Sequence, residues 1–262
     1  GNLLDEKLVE KLLKENSIDI IYHAAAYKHV PLVENNPLQG LSNNINSTKV
    51  ICSLALKHKV KQLILISSDK AVRPTNVMGA SKRVSELLVY HYAQRAKDLK
   101  IGKDPTTLFS MVRFGNVLCS SGSVIPLFQK QISNGGPLTL THSEIIRYFM
   151  TIPEAAQLVI ISSAITKGGE IFLLDMGEPV SILNLAKRMI NLNGLTVKDE
   201  KNPNGDIEIK IIGLRPGEKL FEELLIDQKS EKTIHPLIYK AEENSVIENF
   251  SQKLEELNKA IL

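Results

Sequence analysis

Four short apolar runs, Ile18 to Tyr22, Gln62 to Ser67, Thr107 to Phe114 and Ile171 to Leu174, alternate with stretches of helical period, and this alternation constrains the fold more than any other feature. Runs of that length, without polar alternation, belong inside a parallel sheet covered on both faces. The helical stretches are a first one marked by Leu4, Leu8, Val9, Leu12 and Leu13, a second from about Pro37 to His58, and a third from Val77 to about Ala96. Strand–helix alternation needs crossover connections, so the expected architecture is a doubly wound parallel α/β sheet.

After Gly115 the rhythm loosens, with Pro126, Gly135-Gly136-Pro137 and Pro153 as punctuation, and a second part of the molecule is expected there. A Ser181-capped helix to about Leu192, a strand from Ile207 to Ile212 and a closing helix from Ile247 to Ile261 complete the pattern.

Composition narrows the functional class. With 32 basic and 29 acidic side chains the balance is too even, and the basic residues too little interleaved with aromatics, to indicate nucleic-acid binding. No apolar run reaches the roughly 18 residues of a membrane helix and no signal peptide opens the chain, so this segment is expected in the cytoplasm without membrane contact of its own. Cys52 and Cys119 lie in apolar contexts without metal-ligand spacing; both are expected as buried free thiols, and no metal is expected.

The chemistry concentrates just beyond the second apolar run. Ser67-Ser68-Asp69-Lys70 leads through Pro74 and Asn76 into a helix carrying Met78 and Lys82 one turn apart on one face. In parallel sheets ligands gather at the C-terminal ends of strands. An acid, a base and a helical lysine at such an end suggest an active site, although a solvated Asp-Lys loop pair is the simpler alternative.

These residues resemble the extended short-chain dehydrogenase/reductases, and the Asp69-Lys70 pair resembles the nucleotide-sugar 4,6-dehydratases of the CapD-like polysaccharide-biosynthesis family. Three further segments carry the resemblance: His23 to Leu32, Arg113 to Pro126, and Leu214-Arg215-Pro216-Gly217-Glu218-Lys219-Leu220. It implies a Rossmann-like sheet binding NAD with a smaller α/β substrate-binding part, residues 1–117 forming the cofactor domain, 168–193 returning to it, and 118–262 serving mainly the nucleotide sugar. The implied activity is dehydration of a UDP-N-acetylhexosamine, UDP-GlcNAc in the first instance, to a 4-keto-6-deoxy sugar for surface polysaccharide, in a homo-oligomer.

By the same resemblance Asp69 is the acid and Lys70 the base, Lys82 grips the nicotinamide ribose, and Ala24, Ala25, Ala26, Asn44, Ser67, Phe114 and Gly115 serve the cofactor. Substrate contacts fall on Asn116, Ser123, Val124, Pro126, Arg147, Arg215 and Glu218, the two arginines being suited to bidentate hydrogen bonding with a diphosphate. Partial burial would raise the pKa of Asp69 and lower that of Lys70, whereas their mutual attraction opposes both shifts. Helix-packing or surface roles remain the simpler alternatives for the alanines, Asn44, Lys82 and the arginines.

Two departures from the family pattern stand out. Met78 replaces the usual tyrosine and has no proton to exchange; a dehydratase branch with Met here, commonly attached to a membrane-anchored protein, makes the change compatible with activity, with Ser68 or water expected to relay the 4-hydroxyl proton to Asp69. The family's opening strand, glycine-rich turn and helix have no counterpart, and Gly1 to Asp5, with Asn2 near the adenine, matches a segment after the family's third strand. A fragment with an incomplete cofactor site is therefore expected. The competing readings are an NAD-dependent UDP-sugar 4-epimerase and a catalytically silent nucleotide-sugar-binding module.

Overall fold

The computed structural model describes residues 1–99, 106–225, 229–243 and 247–261, in two units. The larger unit comprises residues 1–114, 157–175 and 223–262, and the smaller 115–156 and 176–222.

In chain order, α1 (Glu6–Glu15) starts at Asp5, whose carboxylate accepts from the Leu8 N–H, and β1 (Ile20–His23) follows. Helix α2 (Val30–Asn35) comes next, and the helix expected from about Pro37 to His58 is α3 (Pro37–Leu41), a π turn (Ser42–Asn46) and α4 (Ser47–Lys57), with a Pro in the first turn of both α2 and α3. Then come β2 (Gln62–Ile66), α5 (Val77–Asp98) and β3 (Leu108–Arg113). The smaller unit contributes β4 (Asn116–Val117), α6 (Val124–Ser133), β5 (Leu138–Leu140), β6 (Ile146–Arg147) and β7 (Phe149–Met150). Helix α7 (Ile152–Ile165) precedes β8 (Ile171–Leu174), and β9 (Val180–Ser181), α8 (Ile182–Leu192), β10 (Val197–Lys198) and β11 (Ile207–Ile211) follow. The chain closes with β12 (Ser230–Lys232), β13 (Ile238–Ala241) and α9 (Phe250–Ile261).

The larger unit is a six-stranded sheet in the order β1-β2-β3-β8-β13-β12. The first four strands are parallel, as expected, and β13 and β12 add an antiparallel edge. Leu63, Leu65, Phe109, Met111, Ile171 and Leu173 share a core with Ile51, Leu54 and Ala55 of α4 and Leu88 and Val89 of α5. In the smaller unit Phe128 and Ile132 of α6 and Ile182, Ala186 and Ile190 of α8 share a core with Leu138, Leu140 and Ile207 of the sheet β10-β11-β5.

Three expectations need correction. The run Ile18 to Tyr22 is not buried on both faces: β1 ends the sheet order, and Ile20 and Tyr22 are each 41% exposed. The return to the cofactor unit stops at Asp175 and not at residue 193, because α8 packs into the smaller core; residues 223–262 belong to the larger unit, because β13 pairs with β8. Cys119 is exposed, in a turn where its φ is +57°, whereas Cys52 is buried as expected. Among the described residues no helix is long and apolar enough to cross a membrane.

Candidate active site

The end of β2 is built so that the chain must turn in one way. The Ser67 N–H donates to the Val112 carbonyl at 2.8 Å and the Asp69 N–H to the Phe114 carbonyl at 3.2 Å, so parallel pairing continues past the formal strand end. Ala71 and Val72, both fully buried, anchor the far side of the turn in the core. Ser68 caps a single 3₁₀ turn over Asp69–Ala71.

Within it the Ser68 hydroxyl donates to Asp69 Oδ1 at 2.7 Å and Lys70 Nζ donates to the same oxygen at 2.9 Å. Asp69 is 3% exposed, so the pair is not the solvated loop of the simpler alternative; the Lys70 side chain keeps 23% exposure and so stays within reach of solvent. An oxygen with two close donors in a dry setting is a strong local electrostatic unit.

Helix α5 is brought against this turn by Asn76, whose side chain accepts from the Gly79 N–H at 2.8 Å, and by Glu34, which accepts from the Val77 N–H at 2.5 Å. A Cβ on Gly79 would lie 2.3 Å from the Lys70 carbonyl oxygen, so only glycine permits this approach. Met78 is 2% exposed. Lys82 is 8% exposed, its Nζ donates to the Ile66 carbonyl at 3.1 Å, and burial pulls its pKa from 10.5 down to about 8 against the upward pull of Glu86.

Asn44 sits in the π turn and is 2% exposed, so it is not a helix-surface amide. Its side chain accepts from the Tyr27 N–H at 2.7 Å and donates to the Tyr27 carbonyl at 3.0 Å and to Ser81 Oγ at 2.8 Å. It thereby ties the segment after β1 to α5. In that segment Ala24 and Ala25 are exposed and Ala26 half-buried, small side chains at a parallel strand end. His23, the last residue of β1, is buried against the Thr48 hydroxyl at 3.0 Å, and burial lowers its pKa from 6.5 to about 4, with the nearby Lys82 charge acting in the same direction.

Sequence reasoning missed a buried ionic cluster beneath this end of the sheet. Arg113, fully buried, forks onto Glu86 at 2.7 and 2.8 Å and onto Glu243 at 2.5 and 2.9 Å. Arg83 reaches Glu86 at 2.9 Å and Glu243 at 3.3 Å. Two guanidiniums against two carboxylates balance in charge, which is what makes such burial tolerable. Burial would raise the Glu86 pKa, but the arginines overcome it and hold the carboxyl below its ordinary value. The Ser67 hydroxyl, expected to face the cofactor, donates instead to Glu86 at 2.6 Å. Only the helical spacing of Arg83 and Glu86 was a local signal.

The smaller unit holds the expected substrate residues. The Gly115 N–H points to Met176 Sδ at 3.4 Å, and the Asn116 N–H donates to the Tyr148 carbonyl as β4 pairs with β7. Ser123 occupies the N-cap of α6 without a capping bond, its hydroxyl buried and unpartnered, with Val124 opening the helix and Pro126 exposed in its first turn.

Arg215-Pro216-Gly217-Glu218 forms a tight turn: the Glu218 N–H donates to the Arg215 carbonyl at 3.0 Å and Gly217 has φ +73°, a left-handed conformation that suits glycine. Glu218 returns the bond, accepting from the Arg215 N–H at 3.1 Å, and also accepts from the Thr141 hydroxyl at 3.0 Å. The Arg215 side chain is left exposed. Arg147 has a different occupation from the one expected: it is 8% exposed and its terminal nitrogens donate to the carbonyls of Ile146, Lys219 and Leu220 at 2.7–2.9 Å. It clamps the segment after the turn, and Glu218, 3.7 Å away, supports it.

Residues 1–243 match the family described as polysaccharide biosynthesis protein. The chain is 48% identical over 225 residues to the probable polysaccharide biosynthesis protein EpsC of Bacillus subtilis, covering 86% of this chain and 35% of that protein. It is 50% identical over 216 residues to the capsular polysaccharide biosynthesis protein CapD of Staphylococcus aureus, covering 82% and 33%. The chain thus spans about a third of the length of these relatives. A UDP-glucose 4-epimerase of Rickettsia canadensis is 34% identical over 232 residues, 88% of this chain and 62% of the epimerase.

Among solved structures, Pen from Bacillus thuringiensis superposes with a TM-score of 0.79 at 35% identity, covering 92% of this chain and 71% of Pen. DesIV of Streptomyces venezuelae, a dTDP-glucose 4,6-dehydratase solved with NAD, shares the fold with a TM-score of 0.72 at 20% identity, covering 87% of this chain and 70% of DesIV. The fold is thus shared with a nucleotide-sugar dehydratase and the sequence is similar to that of a UDP-glucose 4-epimerase, and by the match over residues 1–243 this chain belongs to the polysaccharide biosynthesis protein family.

Proposed function

We propose that this chain carries the proton-transfer centre of an NAD-dependent UDP-N-acetylhexosamine 4,6-dehydratase, with UDP-GlcNAc as the preferred substrate. The observation that carries this reading is the buried Asp69 carboxylate with Ser68 and Lys70 on one oxygen at 2.7 and 2.9 Å. Dehydration needs an acid for the departing 6-hydroxyl and a base for C5, and an epimerase needs neither.

The residues present fit the nicotinamide side of NAD. Lys82 holds the Ile66 carbonyl with one of its three N–H groups and can offer another to a ribose hydroxyl, while the exposed Ala24 and Ala25 leave room beside the end of β1. When bound, NAD would accept a hydride from C4 of the sugar and return it at C6.

The protons then follow from this chain's geometry. Met78 cannot take the 4-hydroxyl proton, and Ser68, already donating to Asp69, can pass it along that hydrogen bond. Protonated Asp69 is the acid for the 6-hydroxyl. Neutralising Asp69 also removes the charge that holds the Lys70 ammonium 2.9 Å away, and Lys70, with 23% exposure, gives its proton to solvent. Lys70 then takes the C5 proton as Asp69 gives its own to the hydroxyl that leaves as water, and returns a proton to C5 when C6 is reduced. One proton transfer prepares both groups. Arg215, exposed beside its rigid turn, is the diphosphate contact; Arg147 and Glu218 keep that turn in place.

The test is to incubate the complete protein with NAD and UDP-GlcNAc in deuterated water and follow the sugar protons by NMR. A new C6 methyl signal with deuterium at C5 is expected. A UDP-GalNAc spectrum without C5 deuterium would instead establish the 4-epimerase reading, which the similarity to the Rickettsia epimerase favours. Unchanged substrate would overturn both.

A further inference from the structure

The carboxylate of Glu86 and the amine of Lys82 lie one helical turn apart on α5 and grip consecutive residues at the end of β2: Lys82 Nζ holds the Ile66 carbonyl at 3.1 Å, and Glu86 Oε1 accepts the Ser67 hydroxyl at 2.6 Å. The same Glu86 oxygen accepts Arg113 Nε at 2.7 Å. Arg113 is the last residue of β3, and its successor Phe114 supplies the carbonyl that takes the Asp69 N–H. Glu86 therefore touches the residue before Ser68-Asp69-Lys70 directly, and reaches the acceptor of Asp69 through one side chain.

The rest of the cluster makes this grip stiff. Arg113 and Arg83 both bond Glu86 and Glu243, and Arg113 Nη1 adds the Leu224 carbonyl at 3.2 Å, so Glu86 cannot swing away from Ser67 without breaking several charge-assisted bonds. Glu86 and Arg113 are 1% and 0% exposed, so these bonds are made away from bulk solvent.

We infer that Glu86 is a positioning residue: through Ser67 and Arg113 it fixes the Ser68–Lys70 turn against α5, so that Asp69 and Lys70 meet the reacting atoms in one geometry. The kinetic part of this inference rests on the proposed dehydratase reaction; the structural part does not.

Two variants test it. Ser67→Ala removes the hydroxyl that donates to Glu86 and leaves all four charges in place. Glu86→Gln keeps the shape but faces an amide with guanidinium donors, a larger perturbation. Hydrogen exchange by mass spectrometry is read on the peptide spanning residues 67–72 and on β3. In both variants exchange in the turn is expected to rise about tenfold or more, as loss of a hydrogen bond to a charged group allows, while β3 in Ser67→Ala stays within about twofold of the wild type. In the turnover assay kcat is expected to fall about tenfold in Ser67→Ala with the KM for UDP-GlcNAc unchanged, and the two variants combined to cost no more than Glu86→Gln alone.

Unchanged exchange in the turn of Ser67→Ala, or a rise shared equally by β3, would overturn the inference, the latter because it marks general loosening. A multiplicative loss of kcat in the double variant would overturn the route through Ser67. If the wild type turns over no sugar, the proposed reaction fails, and the exchange pattern still decides whether Glu86 positions the turn.

Discussion

Two tight turns carry the chemistry expected of this chain, and they are built in opposite ways. In the turn after β2 the carboxylate is buried and both of its close donors, Ser68 and Lys70, are groups that can move protons. In the turn at Arg215 the carboxylate of Glu218 closes the backbone and holds Thr141, and the charged side chain is left exposed. Proton transfer gains from a dry, fixed setting in which small changes of charge move pKa values far. Recognition of a diphosphate gains from a guanidinium that solvent and ligand can reach, on a backbone that does not yield. The difference predicts that damage to the first turn shows in the rate and damage to the second in affinity.

The largest effect is expected from Asp69→Asn or Lys70→Ala. Each is expected to lower kcat by about 10²- to 10⁴-fold, the size of one positioned proton transfer, with little change in the KM for the UDP-sugar. Steady-state kinetics checks this, and a loss confined to KM would erase the contrast. Arg215→Lys is expected to raise KM about tenfold at constant kcat, because a lysine loses the bidentate geometry but keeps the charge. A fall in kcat there would mean that this turn also shapes the reaction.

The smallest effect sharpens the comparison by asking how dry the larger unit is at the sheet end. His23 has its pKa lowered to about 4 from an ordinary 6.5, so between these values the unfolded chain binds the proton and the folded one does not. Stability is then expected to fall as pH drops from 6.5 towards 4, and His23→Gln to flatten that part of the profile in thermal melts. An unaltered slope would mean that water reaches the ring.

Much of this was written locally in the chain. The apolar run of β2, the Ile171–Leu174 strand and the Ser181 cap of α8 follow from residues within a few positions of one another, and each is found where the pattern puts it. What the pattern lacks is the identity of distant partners. Helix α8 was legible as a helix but not as part of the smaller core, and the run at β1 reads as buried because hydrophobicity alone does not say which strand ends a sheet. The Arg113 cluster joins residues 27 and 130 positions apart, beyond any periodicity. Arg147 likewise reads as a phosphate ligand until its three carbonyl partners, two of them more than 70 positions away, are seen.

The π turn at Ser42–Asn46 has a consequence for how this segment tolerates change. Such a turn is a helix holding one residue more than regular spacing allows, so deleting a single residue there would let α3 and α4 join with ordinary hydrogen bonding. The same deletion would rotate Asn44 off the Tyr27 backbone and Ser81, loosening the tie between the β1 end and α5. At this point an edit that mends the helix would disconnect the site, and sequence length is held by the site and not by the helix that carries it.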